Sequence, residues 1–535
     1  MEQMKFHQVE LAFEEQLLFK DVNVSIQERE VIGVIGRNGS GKSTLLQLIS
    51  GHLSPTKGHI ERVAPILVQF VEQEAQHYKF SYSSIHKKWG IPENAYEQLS
   101  GGEKLKVRLA DGFAAQADLL LLDEPSNHLD EHALERLIKE IRSYSGTIIV
   151  VSHDRFFLDK AATTIWSIEG HSIYAQKGNY SHYQEVRKLR RQTQQAMYDK
   201  QQDKIQALNK QINELTTWSS KAHKASTKQE GFKEYYRLAA KRMDAQVKSR
   251  RKRLEKELGK DKVEAPDSEH EVYFEFQSQA RHGKRMLLVD NLMSSYGQQP
   301  VLKGVTFQCA LGDRIAITGG NGSGKTTLLR CILGQQAISG SSVWLSPSAK
   351  AGYLTQEVHD LPLTLTPAEL TPSTSFEQRS HIQTVFDQLG FHQEQWKQQI
   401  GTMSMGERVK LKLMQYLLED TNLLILDEPT NHLDLPSREQ LEHTLAQYTG
   451  ALLVVSHDRY FRNKVCHVEL ELRDGKLASK QHEPVEDHAQ LLLQLETERQ
   501  YVLGKLSTLK STTDEYAEFD AKFNELSIRI RELKR

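Results

Sequence analysis

The chain has 535 residues, a net charge of −1, 38% hydrophobic residues and 26% charged residues. That is enough apolar material for several globular cores and for more than one domain. No apolar run is long enough for a transmembrane helix, and the opening stretch MEQMKFHQVE has no apolar signal core. Cys309, Cys331 and Cys466 form no C-x-x-C pair, so packed thiols in a reducing, cytoplasmic setting are expected rather than disulfides or zinc.

In chain order, the aromatic Phe13 comes first, followed by a glycine-rich loop: Gly36, Arg37, Asn38, Gly39, Ser40, Gly41, Lys42 and Ser43, with Thr44 next. It fits G-x-x-x-x-G-K-[ST]. In that pattern backbone N–H groups curl around a phosphate, the lysine reaches the β- and γ-phosphates, and the hydroxyl ligates Mg²⁺. Gln73 follows in VEQE, then Ser100, Gly101 and Gly102 in LSGGE. Four apolar residues, 119–122, run into Asp123 and Glu124, and a second apolar run, 147–151, ends at Ser152, His153 and Asp154. Short apolar runs alternating with helical stretches predict an α/β domain with buried strands over residues 1–182.

Residues 183–262 differ in character. They hold 22 Lys+Arg against 10 Asp+Glu. Ile205, Leu208, Ile212 and Leu215 follow 3-4-3 spacing, and Val247, Leu254 and Leu258 lie 7 and 4 apart. The pattern predicts two long helices folded into an antiparallel coiled coil. The first is expected over about 183–218, roughly 50 Å long, with a turn within 219–233 around Gly231. The tip then carries Lys228, Phe232 and Lys233.

The whole set then recurs over 263–483. Tyr296 precedes the loop Gly319, Gly320, Asn321, Gly322, Ser323, Gly324, Lys325, Thr326, with Thr327 next. Gln356, then Ser404 and Gly406 in MSMGE, then Asp427 and Glu428, then His457 complete the copy. Phe13 and Tyr296 each stand 23 residues before their loop, and the second copy carries 21 extra residues between its glutamine and its signature. The last stretch, 484–535, is charged and helical in pattern and is expected to be a short helical hairpin. The predicted fold is therefore α/β: two P-loop ATPase domains, a helical linker and a C-terminal helical extension.

These motifs resemble the ATP-binding cassette (ABC) superfamily over both halves. The resemblance implies that the halves pair head to tail within one monomer and sandwich two ATP molecules. Site one would combine Lys42, Gln73, Asp123, Glu124 and His153 with Ser404 and Gly406. Site two would combine Lys325, Gln356, Asp427, Glu428 and His457 with Ser100 and Gly102. Ser43, Thr326, Gln73, Gln356, Asp123 and Asp427 would serve Mg²⁺, Glu124 and Glu428 would act as general bases, and His153 and His457 would sense the γ-phosphate. Phe13 and Tyr296 would stack on adenine. In the second signature, Met405 stands where the superfamily usually has glycine.

Two fused cassettes without a membrane domain, joined by a basic linker, resemble the ABC-F family of ribosome-associated ATPases. The segments KAHKASTKQEGFKEYYR, DAQVKSRRKRLEKEL and LDEPTNHLDLPSREQLE are similar to antibiotic-resistance members from Bacillus-like bacteria. That resemblance implies binding of the 70S ribosome at the tRNA exit site, with contacts to 23S rRNA and P-site tRNA. It implies protection of the peptidyl-transferase centre from lincosamides, streptogramin A compounds and pleuromutilins. DNA and membranes are not expected partners. A housekeeping ABC-F translation factor is the alternative, disfavoured by the long linker. A transporter ATPase subunit is a remote one, since a charged coiled coil has no place there.

Overall fold

The computed structural model describes residues 2–13, 16–73, 82–127, 129–228, 233–260, 285–297, 299–338, 342–355, 361–371, 395–419, 421–431 and 433–480, with isolated residues between and beyond them. The chain packs as two compact units. One comprises residues 1–281, 350–450 and 456–465, the other 282–349, 451–455 and 466–535.

The first unit opens with an antiparallel sheet in which β1 (Glu2–Phe13) pairs with β2 (Gln16–Val22), β3 (Ser25–Gln27) and β5 (Lys57–Arg62). Beside it in the chain lies a six-stranded sheet built from β4 (Val31–Gly36), β6 (Val68–Val71), β7 (Leu119–Asp123), β8 (Thr147–Val151), β9 (Thr164–Glu169) and β10 (Ser172–Lys177). Its order is β10-β9-β4-β8-β7-β6. All neighbours are parallel except the β9–β10 hairpin. Every residue of β7 and β8 is buried. Near-continuous apolar runs rather than alternating ones are what a parallel sheet covered on both faces requires.

Helices α1 (Lys42–Ser50), α2 (Ser84–Lys88), α3 (Gly101–Ala114), α4 (Glu131–Ser143) and α5 (Arg155–Ala161) follow strands or loops of this sheet. Each of the last three starts at a side-chain cap. Ser100 accepts from the Glu103 amide, Asp130 from Ala133 and Asp154 from Phe157. Trp166 on β9 is 1% exposed and meets Phe6 of β1 edge-on at 6.4 Å. Trp166→Ala is expected to destabilise this domain by about 3–5 kcal/mol, measured by urea titration; a loss below ~1 kcal/mol would mean that the site collapses around the smaller side chain.

Two long helices follow, α6 (Tyr180–Lys228) and α7 (Lys233–Lys260), and they lie against each other. The first runs about ten residues past the predicted end near 218. Apolar periodicity stops there, but the Ala- and Lys-containing continuation still favours helix. Gly231 and Phe232 lie outside the described residues, as do the side chains of Lys228 and Lys233.

Also in the first unit, strands Ala351–Leu354 and Leu423–Asp427 pair in parallel. Helices Met405–Leu418, Leu435–Gln447 and Arg459–Val465 belong to the same unit. The second unit holds an antiparallel set, in which Arg285–Tyr296 pairs with Gln299–Ala310 and Ser342–Leu345. Its parallel set places Arg314–Thr318 between Ala451–Val455 and Val468–Arg473. Of the C-terminal extension only isolated residues are described. Among them Leu495, Val502 and Leu526 are buried, with Phe519 and Phe523 packed on them. The three cysteines are buried and form no disulfide.

Candidate active site

Each glycine-rich loop lies between a strand end and a helix start. Gly41 and Gly324 cap their helices at φ 91° and 100°, in the left-handed region. A Cβ on Gly41 would come within 2.7 Å of Leu18, so glycine is required twice over there. Lys42 Nζ donates to the carbonyls of Gly36 and Arg37 at 3.0 and 2.9 Å. Within the second unit, Lys325 Nζ donates to Gly319 and Gly320 at 2.8 and 3.0 Å. Both lysines thus hold their ammonium at the loop, next to helix N-termini whose first amides have no intrahelical partner. Ser43, Thr44, Thr326 and Thr327 sit in those first turns.

At the end of β7 the Ser43 hydroxyl donates to the Asp123 carboxylate. Burial raises the Asp123 carboxyl, while Ser43 and Lys42 pull it back. Its Oδ1 is buried and has no hydrogen-bond partner among the described residues. A serine hydroxyl beside a carboxylate with an uncommitted buried oxygen is a donor set that fits a hydrated Mg²⁺.

Glu124 follows with φ 48°, an unfavourable backbone for glutamate, and Glu428 repeats it at φ 50°. The turn after the strand therefore aims the glutamate in the same way in both halves. His153 Nε2 lies 3.4 Å from Glu124 Oε1, and His457 Nε2 lies 3.5 Å from Glu428 Oε1. Burial pushes the Glu124 carboxyl up to about 7, against the pull of Lys42 and Arg438. Burial, with the Lys42 and Arg438 cations, holds His153 well below the usual imidazole value, so the neutral ring is favoured and its closeness to Glu124 is not an ion pair. Burial also lowers Lys42, and the carboxylates of Glu124, Asp434 and Asp123 oppose that shift.

Residues from the second half of the sequence reach this site inside the same unit. The Asn38 amide donates to Asp434 Oδ2 at 3.1 Å, although the two residues are far apart in the chain. Burial alone would raise the Asp434 carboxyl, but the Ser437 hydroxyl, the Asn38 amide and Lys410 keep it below the usual range. Arg438 donates to the His153 carbonyl at 3.1 Å. Arg155 forms a buried bidentate ion pair with Glu442. Arg459 and Arg462 bond Glu131, and Arg459 also reaches Glu135 at 3.1 Å.

Ser100 and Ser404 each cap a helix through a reciprocal Ser-x-x-Glu box, with Glu103 and Glu407 as the third residues. That box explains the fixed glutamate of the signature, a local signal that was readable in the sequence. Ser100 is exposed with Gly101 behind it, and Gly102 is half-buried. Ser404 is also exposed, while Gly406 is buried. Gln73 is exposed at the end of β6, and its carbonyl takes a 2.6 Å hydrogen bond from Arg108. Gln356 lies outside the described residues. Tyr296 ends its strand 51% exposed, clear of the core. Phe13 ends β1 opposite Gln16, but its side chain lies outside the described residues. Asp434, Lys410, Arg438 and Glu442 were not singled out as site residues from the sequence, because only the fold brings them to the first loop.

A family model described as ABC transporter matches residues 19–127 and 302–431, and a second so described matches 166–244. Among the described residues no helix is long and apolar enough to cross a membrane. The chain is 52% identical over 527 residues to Ribosome protection protein VmlR of Bacillus subtilis, covering 97% of this chain and 96% of that one. It is 32% identical over 464 residues to Erythromycin resistance ATP-binding protein MsrA of Staphylococcus epidermidis, covering 83% and 92%. In structure it is similar to archaeal aABCE1, solved with the ribosomal stalk protein aP1, at TM-score 0.57 and 16% identity over 88% of this chain and 89% of that one. It is likewise similar to the RNase-L Inhibitor at TM-score 0.57 and 17% identity, over 97% and 98%; at such identities the likeness is one of fold. Paired phosphate loops, each with an acidic strand end and a histidine, together with a relative matched over almost the full length, place this chain in the ABC-F family of ATP-binding cassette ATPases.

Proposed function

We propose that this ATPase binds the ribosome in its ATP-bound state and protects the peptidyl-transferase centre from antibiotics. The observation that carries the reading is the 52% identity, over 97% of the chain, to a protein named for ribosome protection. The paired basic helices that join the two cassettes support it. Residues 1–182 and 263–483 serve as the ATPase domains, 183–262 as a coiled-coil linker that contacts rRNA phosphates, and 484–535 as a C-terminal extension. The protein acts in the cytoplasm, at the exit-site region of the 70S particle, beside 23S rRNA and P-site tRNA.

In the first site Lys42 and the amides of the loop bind the β- and γ-phosphates. Ser404 and Gly406 contact ATP from the other cassette, and Phe13 stacks on adenine. Ser43, Gln73 and Asp123 would hold Mg²⁺, which would neutralise phosphate charge. Glu124 polarises the attacking water, and His153 supports it and contacts the γ-phosphate. Lys325, Thr326, Gln356, Asp427, Glu428, His457, Tyr296, Ser100 and Gly102 take the matching roles in the second site.

Expression in a drug-sensitive host tests the function. Tolerance should rise for lincosamides, streptogramin A compounds and pleuromutilins; no change for these or for macrolides and phenicols would overturn the reading in favour of a drug-independent translation factor. Phe232→Ala should lower tolerance to at least one class while ATP turnover and ribosome binding stay near wild type. Equal tolerance after Phe232→Ala and after deletions across 228–233 would remove the linker tip from the mechanism.

A further inference from the structure

The helix Leu435–Gln447 stands in the second half where α4 stands in the first. At the 304-residue offset that relates Asp123 to Asp427, Arg438 corresponds to Leu134 and Glu442 to Ile138. Two apolar positions of one helix are therefore a charged pair one turn apart on the other. Arg438 and Glu442 are buried, 8% and 1% exposed, and both face the segment that follows β8. Arg438 donates to the His153 carbonyl at 3.1 Å, and Glu442 takes the ion pair from Arg155 two residues later. The same guanidinium donates to the Leu433 carbonyl at 3.0 Å and lies 3.4 Å from Asp458 Oδ2. Leu433 precedes Asp434, which accepts the Asn38 amide of the first phosphate loop. One buried side chain thus joins the His153 main chain of the first half to the second-half helix start that touches the phosphate loop. Leu134 has no hydrogen-bonding group with which to make a corresponding link.

We propose that Arg438 is a positioning residue for the first ATP site: it fixes the His153 main chain directly from the opposite half of the chain, whereas the carbonyl before His457 is held by Arg462 of its own half, which in turn bonds Glu131. This rests on the composite-site reading above. A guanidinium with three oxygen partners is a rigid fork, whereas an ammonium is a point charge with less directional reach. Losing the link frees His153 beside Glu124, and misplacing a catalytic group by about 1 Å costs up to ~10² in rate.

The test measures ATP turnover of the full chain in two parents. Glu428→Gln leaves turnover to the first site, and Glu124→Gln leaves it to the second. Arg438→Leu is expected to lower kcat at least ~10-fold in the first parent, with KM within about twofold, and to leave the second within about twofold. Arg438→Lys should recover part of the loss. Equal losses in both parents would make Arg438 an ordinary anchor between the halves, and no loss in either would remove it from the site; both overturn the proposal. Melting temperature is followed in parallel. If Arg438→Leu melts before assay temperature, Arg438→Lys decides: a loss confined to the first parent supports the proposal, and equal rates overturn it. Failure of the underlying reading shows separately, as parents that both retain wild-type turnover before Arg438 is touched.

Discussion

Glu124→Gln combined with Glu428→Gln is expected to leave ATP binding intact and to lower turnover by at least ~10². Glutamine keeps the shape of glutamate but cannot accept a proton from water. The setting makes that loss large. Glu124 is 7% exposed, and neither of its carboxylate oxygens has a hydrogen-bond partner of good geometry among the described residues. Its backbone sits at φ 48°, and Glu428 repeats the conformation at φ 50°. A strained backbone kept in both copies, each with a histidine nitrogen 3.4 to 3.5 Å from the carboxylate, argues for a positioned group rather than a solvated cap. The substitution leaves Lys42, Lys325 and the loop amides untouched, so the nucleotide should bind as before. On the proposed reading, the double variant accumulates on ribosomes, because the state that binds is no longer emptied by hydrolysis. Phosphate release and co-sedimentation with ribosomes check the two halves of this expectation, and wild-type phosphate release would end the assignment of these glutamates as bases.

Much of this architecture was legible because it is local. The loop glycines, the buried strands 119–123 and 147–151 and the acid pair that ends the first of them follow from residue type and spacing alone. So does the start of the signature helix, where Ser100 and Glu103 form a capping box. What the sequence could not yield was contact between distant segments. Asp434 was visible as part of a repeated motif, but its bond to the Asn38 amide depends on how the halves fold together. Nothing in the sequence singles out Arg438, and its burial is legible only once the His153 carbonyl lies against it. The end of α6 was misplaced for a different reason. Hydrophobic periodicity needs recurring apolar residues, so it gives no signal where a helix continues through a stretch that has few of them.

The second large effect concerns the linker. Replacing Arg250, Arg251, Lys252 and Arg253 with glutamine is expected to weaken ribosome binding at least ~10-fold at moderate salt. It should also flatten the dependence of log K on log salt, by at most about one unit per lost phosphate contact. The four residues are consecutive on α7 and all are exposed. Four successive helical residues span more than one turn, so they point around the helix rather than along one stripe. A duplex or folded rRNA surface on one side would engage two or three of them at once, and a surrounding rRNA cleft would engage all four. The slope change therefore counts contacts: a drop near two fits binding along one face, and a drop near four fits insertion into a cleft. Glutamine preserves helix propensity, so α7 should remain intact, and ATP turnover without ribosomes should stay at the wild-type rate. Binding to purified 70S particles across 50–300 mM salt reads both quantities. A slope equal to that of the wild type would place this patch in solvent and move the rRNA contacts elsewhere on the chain.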